Sequence, residues 1–229
     1  MEKELIVPYM NFLRQFVREE RLQRFEEILK DRTSYITLVI EDVYQPQNAS
    51  AVMRTCECLG IQNLHIIEQN NKYVLNKDVV VGASKWVRVQ KHRKNSNNTQ
   101  TCYQRLREEG YRIIATTPND NGHTPETLPL DQKIAIVLGT EGDGLSETAK
   151  KEADGFLQIP MYGFTESYNI SVAAAIISYQ LIHRLRNEKI DWRLNEDEKN
   201  EVMIRWMKNE LKRSDLIESE FYTRHGGKK

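Results

Sequence analysis

The sequence predicts an α/β fold built on a mostly parallel sheet. Six short apolar runs read as strands, and helical segments alternate with most of them. Strands of a parallel sheet are covered on both faces, so they appear as near-continuous apolar runs rather than as alternating ones.

Taken from the N-terminus, Tyr9, Phe12, Leu13, Phe16 and Val17 recur at helical spacing, as do Leu22, Phe25, Ile28 and Leu29, so the first 30 residues form one or two amphipathic helices. "DRTS" breaks this pattern, and "YITLVIEDV" is the first strand, apolar until it ends in acid. In "QPQNASAVMRTCECLG", Pro46 and Asn48 mark a helix start and Gly60 its stop. "NLHIIE" and "WVRVQKH" are two further strands, and "NTQTCYQRLREEG" is a helix with a glycine stop. "YRIIATT" and "KIAIVLGT" are strands separated by a loop holding Pro118, Gly122 and Pro125. "GLSETAKKEA" is a short helix and "GFLQIPM" the last strand. A long helix covers residues 168–186. A charged linker, "NEKIDWRLNEDEKN", leads to a final helix striped by Met203, Trp206, Met207 and Leu211. The expected organisation is an N-terminal helical arm over 1–32, a central α/β domain over 33–187 and a C-terminal helical extension over 188–229.

The 39% hydrophobic and 29% charged composition is that of a globular chain, which excludes disorder and fibrous repeats. Net charge is zero, so any nucleic-acid surface must come from local clustering. Cys56, Cys58 and Cys102 are too few for a disulfide scaffold, and a C-x-C without a second pair is a weak metal signal. They read as reduced thiols of a cytoplasmic protein with no metal site. The N-terminal stretch lacks a signal-peptide core, and no apolar run approaches the ~20 residues that span a bilayer, so no membrane role is expected.

Ligands of open parallel sheets bind beyond the carboxyl ends of the strands. Three such ends are unusual. In "EDVYQPQNASAVMRT", Asn48 is placed to cap a helix; Ser50 and Arg54, four apart, share its exposed face, with Val52, Cys56 and Leu59 buried opposite. Read alone, these residues need be no more than a cap and a solvated arginine. In "VLGTEGDGLS", Gly139, Gly142 and Gly144 bracket Glu141 and Asp143, a loop that allows close backbone approach to a ligand. It matches neither a dinucleotide fingerprint nor a P-loop; a plain turn remains the alternative. In "LQIPMYGFTESYNISVAAA", a polar loop meets a helix that is apolar nearly all round. Ser167 or Asn169 can cap that helix, and its small residues suit burial against the sheet and a second subunit.

Together and in this order, "NASAVMRTCECLGI", "IVLGTEGDGLS" and "LQIPMYGFTESYNISVAAA" resemble the three motifs of the SpoU/TrmH family of SPOUT-class RNA methyltransferases, over some 130 residues. The resemblance implies a trefoil-knotted α/β domain, an obligate homodimer and S-adenosyl-L-methionine as methyl donor. It implies Thr116, Gly139, Ile159 and Tyr168 as cofactor contacts, the family usually carrying Leu at the last of these. It implies Arg54, Asn48, Glu141, Ser167 and Asn169 as active-site residues, with Arg54 reaching the cofactor bound by the other subunit. The arms make a tRNA ribose 2′-O-methyltransferase acting on the D-loop guanosine the expected member. The alternatives are a 23S rRNA or tRNA anticodon-loop enzyme, or a non-catalytic RNA-binding dimer. The last predicts loss of Asn48, Arg54, Glu141 or Asn169, and all four are present.

"KWVRVQKHRK" holds Lys85, Arg88, Lys91, Arg93 and Lys94 without an acid. On a strand and its exit such a run presents a ridge for RNA phosphates, the alternative being a solvated edge strand protected by its lysines.

Overall fold

Six strands lie in one sheet of order β3-β2-β1-β5-β4-β6, every pair parallel, in a computed structural model that describes residues 3–93, 96–118 and 122–225. The strands are β1 (Ile36–Glu41), β2 (Asn63–Ile67), β3 (Arg88–His92), β4 (Arg112–Thr116), β5 (Ile134–Leu138) and β6 (Gly155–Leu157). Each falls within one of the six expected runs. Residues of β1 and β5 are buried without exception, as central strands covered on both faces must be.

Helices cover both faces. On one side α3 (Pro46–Leu59) and α7 (Ile170–Asn187) pack on the sheet and on each other. Val52, Met53, Ile177 and Leu181 meet Leu38, Ile40 and Ile136 there. On the other side α5 (Asn98–Glu108) and α6 (Glu147–Lys151) place Cys102, Tyr103, Leu106 and Ala149 against Val39, Ala135 and Val137. A one-turn helix, α4 (Lys77–Val80), and a 3-10 turn at Ala83–Lys85 precede β3; the apolar pattern did not announce either.

Residues 33–192 form one compact unit. The C-terminal boundary lies beyond 187 because Trp192 is buried in this core and its carbonyl accepts from Thr33 Oγ1 at 2.5 Å. Residues 1–32 and 193–229 cluster as a second unit, so the two arms belong together. It contains α1 (Lys3–Arg14), α2 (Glu19–Leu29), α8 (Glu196–Glu210) and α9 (Ser214–His225). Phe25 meets Trp206 at 5.6 Å between ring centres, and Phe221 sits against Tyr9 and Phe12.

Two sequence expectations are corrected in this unit. The charged linker is shorter, because Asn195 and Glu198 form a reciprocal capping box that starts α8 within it. The last helix stops at Glu210, and α9 follows as a separate helix. Among the described residues no helix is long and apolar enough to cross a membrane.

Candidate active site

All six strands run the same way, so their carboxyl ends open onto one edge. A cleft lies there. β4 ends on Thr116, Gly139 follows directly on the end of β5, and the chain leaving β6 passes Ile159 and Met161 before Ser167 and Tyr168 lead into α7. All of these residues line the cleft, with Glu141, Leu138, Leu157 and Ile170. The four expected cofactor contacts, Thr116, Gly139, Ile159 and Tyr168, thus share one site, joined by Ser167 and Glu141.

The glycine-rich stretch forms a tight turn, with Thr140 N donating to Gly144 O at 3.0 Å and Gly144 N to Thr140 O at 3.2 Å. A Cβ on Gly139 would fall inside the backbone of Gly144 and Leu145, so only glycine lets the turn fold back. Glu41, 3% exposed at the end of β1, anchors the start of α6 just beyond this turn. Its carboxylate accepts from Thr99 Oγ1 at 2.6 Å and from Ser146 N and Oγ, both at 2.9 Å. Ser146 Oγ in turn accepts from Ala149 N and caps α6.

Three polar residues from the three distant stretches meet at the cleft mouth. Asn48 Nδ2 donates to Glu141 Oε1 at 3.0 Å and to Gln45 Oε1 at 3.2 Å. Asn169 Nδ2 donates to Asn48 Oδ1 at 3.1 Å and also to Glu141 Oε1. Asn169 Oδ1 accepts from Ser171 N at 2.9 Å, so this residue also caps α7. Asn48 is not the cap expected of it. Gln45 holds the cap position and Pro46 the first turn, which carries Asn48 onto the helix and frees its amide for Glu141. Ser50 is corrected too: it is fully buried and accepts from Asn76 N at 2.9 Å, rather than sharing the exposed face of Arg54.

Arg54 is exposed and does not line the cleft. Six residues past Asn48, it has turned some 240° around the helix and risen ~9 Å. It lies along a groove between α3 and α7 with Thr55, Cys58, Val172, Ile176 and Tyr179. Val172 and Tyr179 are 44% and 63% exposed, an apolar face that the chain leaves open.

The basic run is also changed by its surroundings. Lys85, Arg88 and Arg93 are exposed on and beside edge strand β3. Yet Lys91 Nζ lies 3.6 Å and Arg93 Nε 3.9 Å from the buried Glu68 carboxylate, and Lys91 also sits over the Tyr73 ring. An acid absent from the run thus offsets part of its charge. Lys94 falls outside the described residues. On the far side of β2 and β3, His65 and His92 form a buried pair with Cys102, their donor atoms within 4.8 Å of one another; the cysteine spacing gave no sign of this trio.

A parallel sheet with a cleft at its strand ends, closed by a glycine turn and rimmed by polar residues from three separate stretches, is the arrangement in which α/β proteins bind their ligands. Comparison with known proteins sharpens this. A family model described as the SpoU rRNA Methylase family matches residues 35–179. A tRNA (guanosine(18)-2′-O)-methyltransferase of Borreliella burgdorferi is 42% identical over 214 residues, 93% of this chain and 96% of that protein. One from Aquifex aeolicus is 30% identical over 194 residues, 83% of this chain and 90% of that one. The crystal structure of an A. aeolicus TrmH/SpoU tRNA modifying enzyme superposes with a TM-score of 0.74 at 28% identity, covering 84% of this chain and 98% of that one. The AviRb methyltransferase of Streptomyces viridochromogenes, solved with AdoMet, shares the fold at a TM-score of 0.59 and 18% identity, over 71% of this chain and 65% of that one. The chain belongs to the SpoU methylase family.

Proposed function

We propose that this chain methylates the ribose 2′-hydroxyl of guanosine 18 in the tRNA D loop, with S-adenosylmethionine as donor. One observation carries the reading: Asn48, Glu141 and Asn169, from three separate stretches, join at the mouth of a cleft lined by Thr116, Gly139, Ile159 and Tyr168. The relative at 42% identity, aligned over nearly its whole length, bears the same activity in its name.

The cleft suits the donor by its chemistry. Leu138, Leu157, Ile159 and Ile170 offer an apolar bed for a purine, while Thr116, Thr140 and the turn backbone offer polar partners. When bound, the donor supplies an electrophilic methyl group. The chain's own task is then one of alignment, because an in-line displacement needs the acceptor oxygen held on axis. Glu141, fixed by two amide donors, and Ser167 on the facing loop orient the ribose. The hydroxyl proton must leave as the oxygen attacks. A guanidinium has no acceptor with which to act as a base, so the role of Arg54 is to bind the adjacent phosphate and stabilise charge developing on the oxygen, with the proton passing to a phosphate oxygen or to water.

Arg54 faces the α3–α7 groove, so the proposal includes a homodimer in which a second copy covers that groove. Each subunit then lends Arg54 to the other's cleft. The trefoil knot implied by the family belongs to this reading, as do RNA phosphate contacts by Lys85, Arg88, Lys91 and Arg93. The test is Arg54→Ala. It keeps S-adenosylmethionine affinity and dimer mass while methylation of a tRNA transcript falls at least a hundredfold; full methylation in the variant removes Arg54 from the chemistry.

A further inference from the structure

The segment between β6 and α7 does two things at once. Met161, Ser167 and Tyr168 face the cleft, whereas Tyr162 and Phe164 stand clear of the protein, 96% and 108% exposed. Among the described residues neither ring touches another aromatic ring or a cation. Gly163, between them, has open space where a side chain would be. Exposed apolar residues scattered singly are ordinary. Two fully exposed rings, one residue apart and within seven residues of Asn169, are a different matter. Burying each would favour folding, and the loop forgoes it.

We infer that Phe164, with Tyr162, is a stacking site for a nucleobase of the RNA substrate, the target base or its immediate neighbour. This rests on the methyltransferase reading above. RNA loops are recognised largely through nucleotides drawn out of the stack, whose bases are laid on aromatic side chains. The drawn-out base then needs a face to replace the neighbours it lost. Aromatic side chains supply that face for any base. Phe164 is three residues from Ser167, so its Cα lies within ~11 Å of that cleft residue even if the loop is fully extended. The base therefore binds beside the acceptor network on the same short segment. A protein partner would need a larger apolar surface, and Gly163, Thr165 and Glu166 around the rings do not provide one.

The experiment compares Phe164→Ala, Tyr162→Ala, the double variant and Phe164→Trp with wild type. Each is assayed for methylation kinetics on a tRNA transcript, for transcript Kd by anisotropy, for S-adenosylmethionine Kd by calorimetry, and for mass by light scattering. The double variant raises KM and Kd for the transcript about 5- to 150-fold, the equivalent of ~1–3 kcal/mol of base stacking. S-adenosylmethionine affinity and mass stay unchanged, and Phe164→Trp retains wild-type KM. Unchanged transcript affinity in the double variant overturns the stacking site. So does a loss that accompanies a change in mass, which would make the rings a subunit contact. If wild type binds the transcript without methylating it, the functional reading fails. The stacking site then stands or falls on the Kd difference alone.

Discussion

Asn169 Nδ2 donates to Asn48 Oδ1 at 3.1 Å across 121 positions of sequence. Both also donate to one oxygen of Glu141. Each side-chain amide of the two asparagines has its acceptors in place, and a flip of either amide would point an oxygen at the carboxylate. The network therefore has one arrangement. It ties the start of α3, the glycine turn and the start of α7 together at the cleft mouth.

Asn48→Ala and Asn169→Ala should both lower kcat for tRNA methylation by one to two orders of magnitude, because each leaves Glu141 with a single amide donor. Their stabilities should differ. Asn169 also caps α7, so its removal costs ~1 kcal/mol beyond the network, whereas Gln45 and Pro46 start α3 without Asn48. Urea unfolding separates the two, and equal stabilities would contradict the capping role.

Glu41→Ala removes an acceptor shared by Thr99 Oγ1, Ser146 N and Ser146 Oγ in a buried place. Hydrogen bonds to a charged group contribute ~1.5–3 kcal/mol each, less what water restores. A loss of about 3 kcal/mol in denaturant unfolding is expected, with the cleft turn loosened and S-adenosylmethionine bound more weakly. A stability change under about 1 kcal/mol would mean that Glu41 does not anchor α6.

The buried histidine pair makes a pH prediction. His65 Nδ1 and His92 Nε2 lie 3.1 Å apart, and Gln90 Nε2 lies 3.2 Å from His65 Nε2. Burial first, then His92, Arg105 and Arg88, push His65 down to about 3 from 6.5. Burial and Arg105 lower His92 as well, against Glu109. Between pH 6.5 and 3 the unfolded chain binds a proton that folded His65 refuses, so stability falls as pH drops through that window and is level above it. The slope is ~1.4 kcal/mol per pH unit for one such group. From about pH 7.5 to about pH 5, wild type should lose about 2 kcal/mol more than His65→Gln. Parallel losses would show that His65 titrates normally.

Most of the sheet was legible in the sequence, and the reason is burial. Strands covered on both faces cannot hide among polar residues, so ITLVIE and IAIVL announced themselves. Order within the sheet was not legible, since apolar runs do not name their neighbours. α9 escaped notice because Phe221 is its one buried residue among those described, too few to make a stripe. In the site, the members of the Asn48–Glu141–Asn169 network were identifiable only by family resemblance, because their hydrogen bonds join positions 28 to 121 residues apart. Glu68, which approaches Lys91 and Arg93, was out of view for the same kind of reason: strand register brings it there. Arg54 was read correctly as exposed, but one chain's sequence says nothing of the surface that covers it.

Shared sites predict complementation. Arg54→Ala and Asn169→Ala, each strongly impaired alone, should regain activity when unfolded together and refolded as mixed dimers. One cleft in each mixed dimer then has an intact Asn169 and an intact Arg54 from the other chain. No recovery would place Arg54 and Asn169 in the same subunit's site.

The proposed activity is tested most directly by a map of ribose methylation in a tRNA transcript incubated with the purified chain and S-adenosylmethionine. A single new 2′-O-methyl group on guanosine 18 is expected, absent when Arg54→Ala replaces wild type. A transcript left unmodified, or modified at another nucleotide, would contradict the proposal.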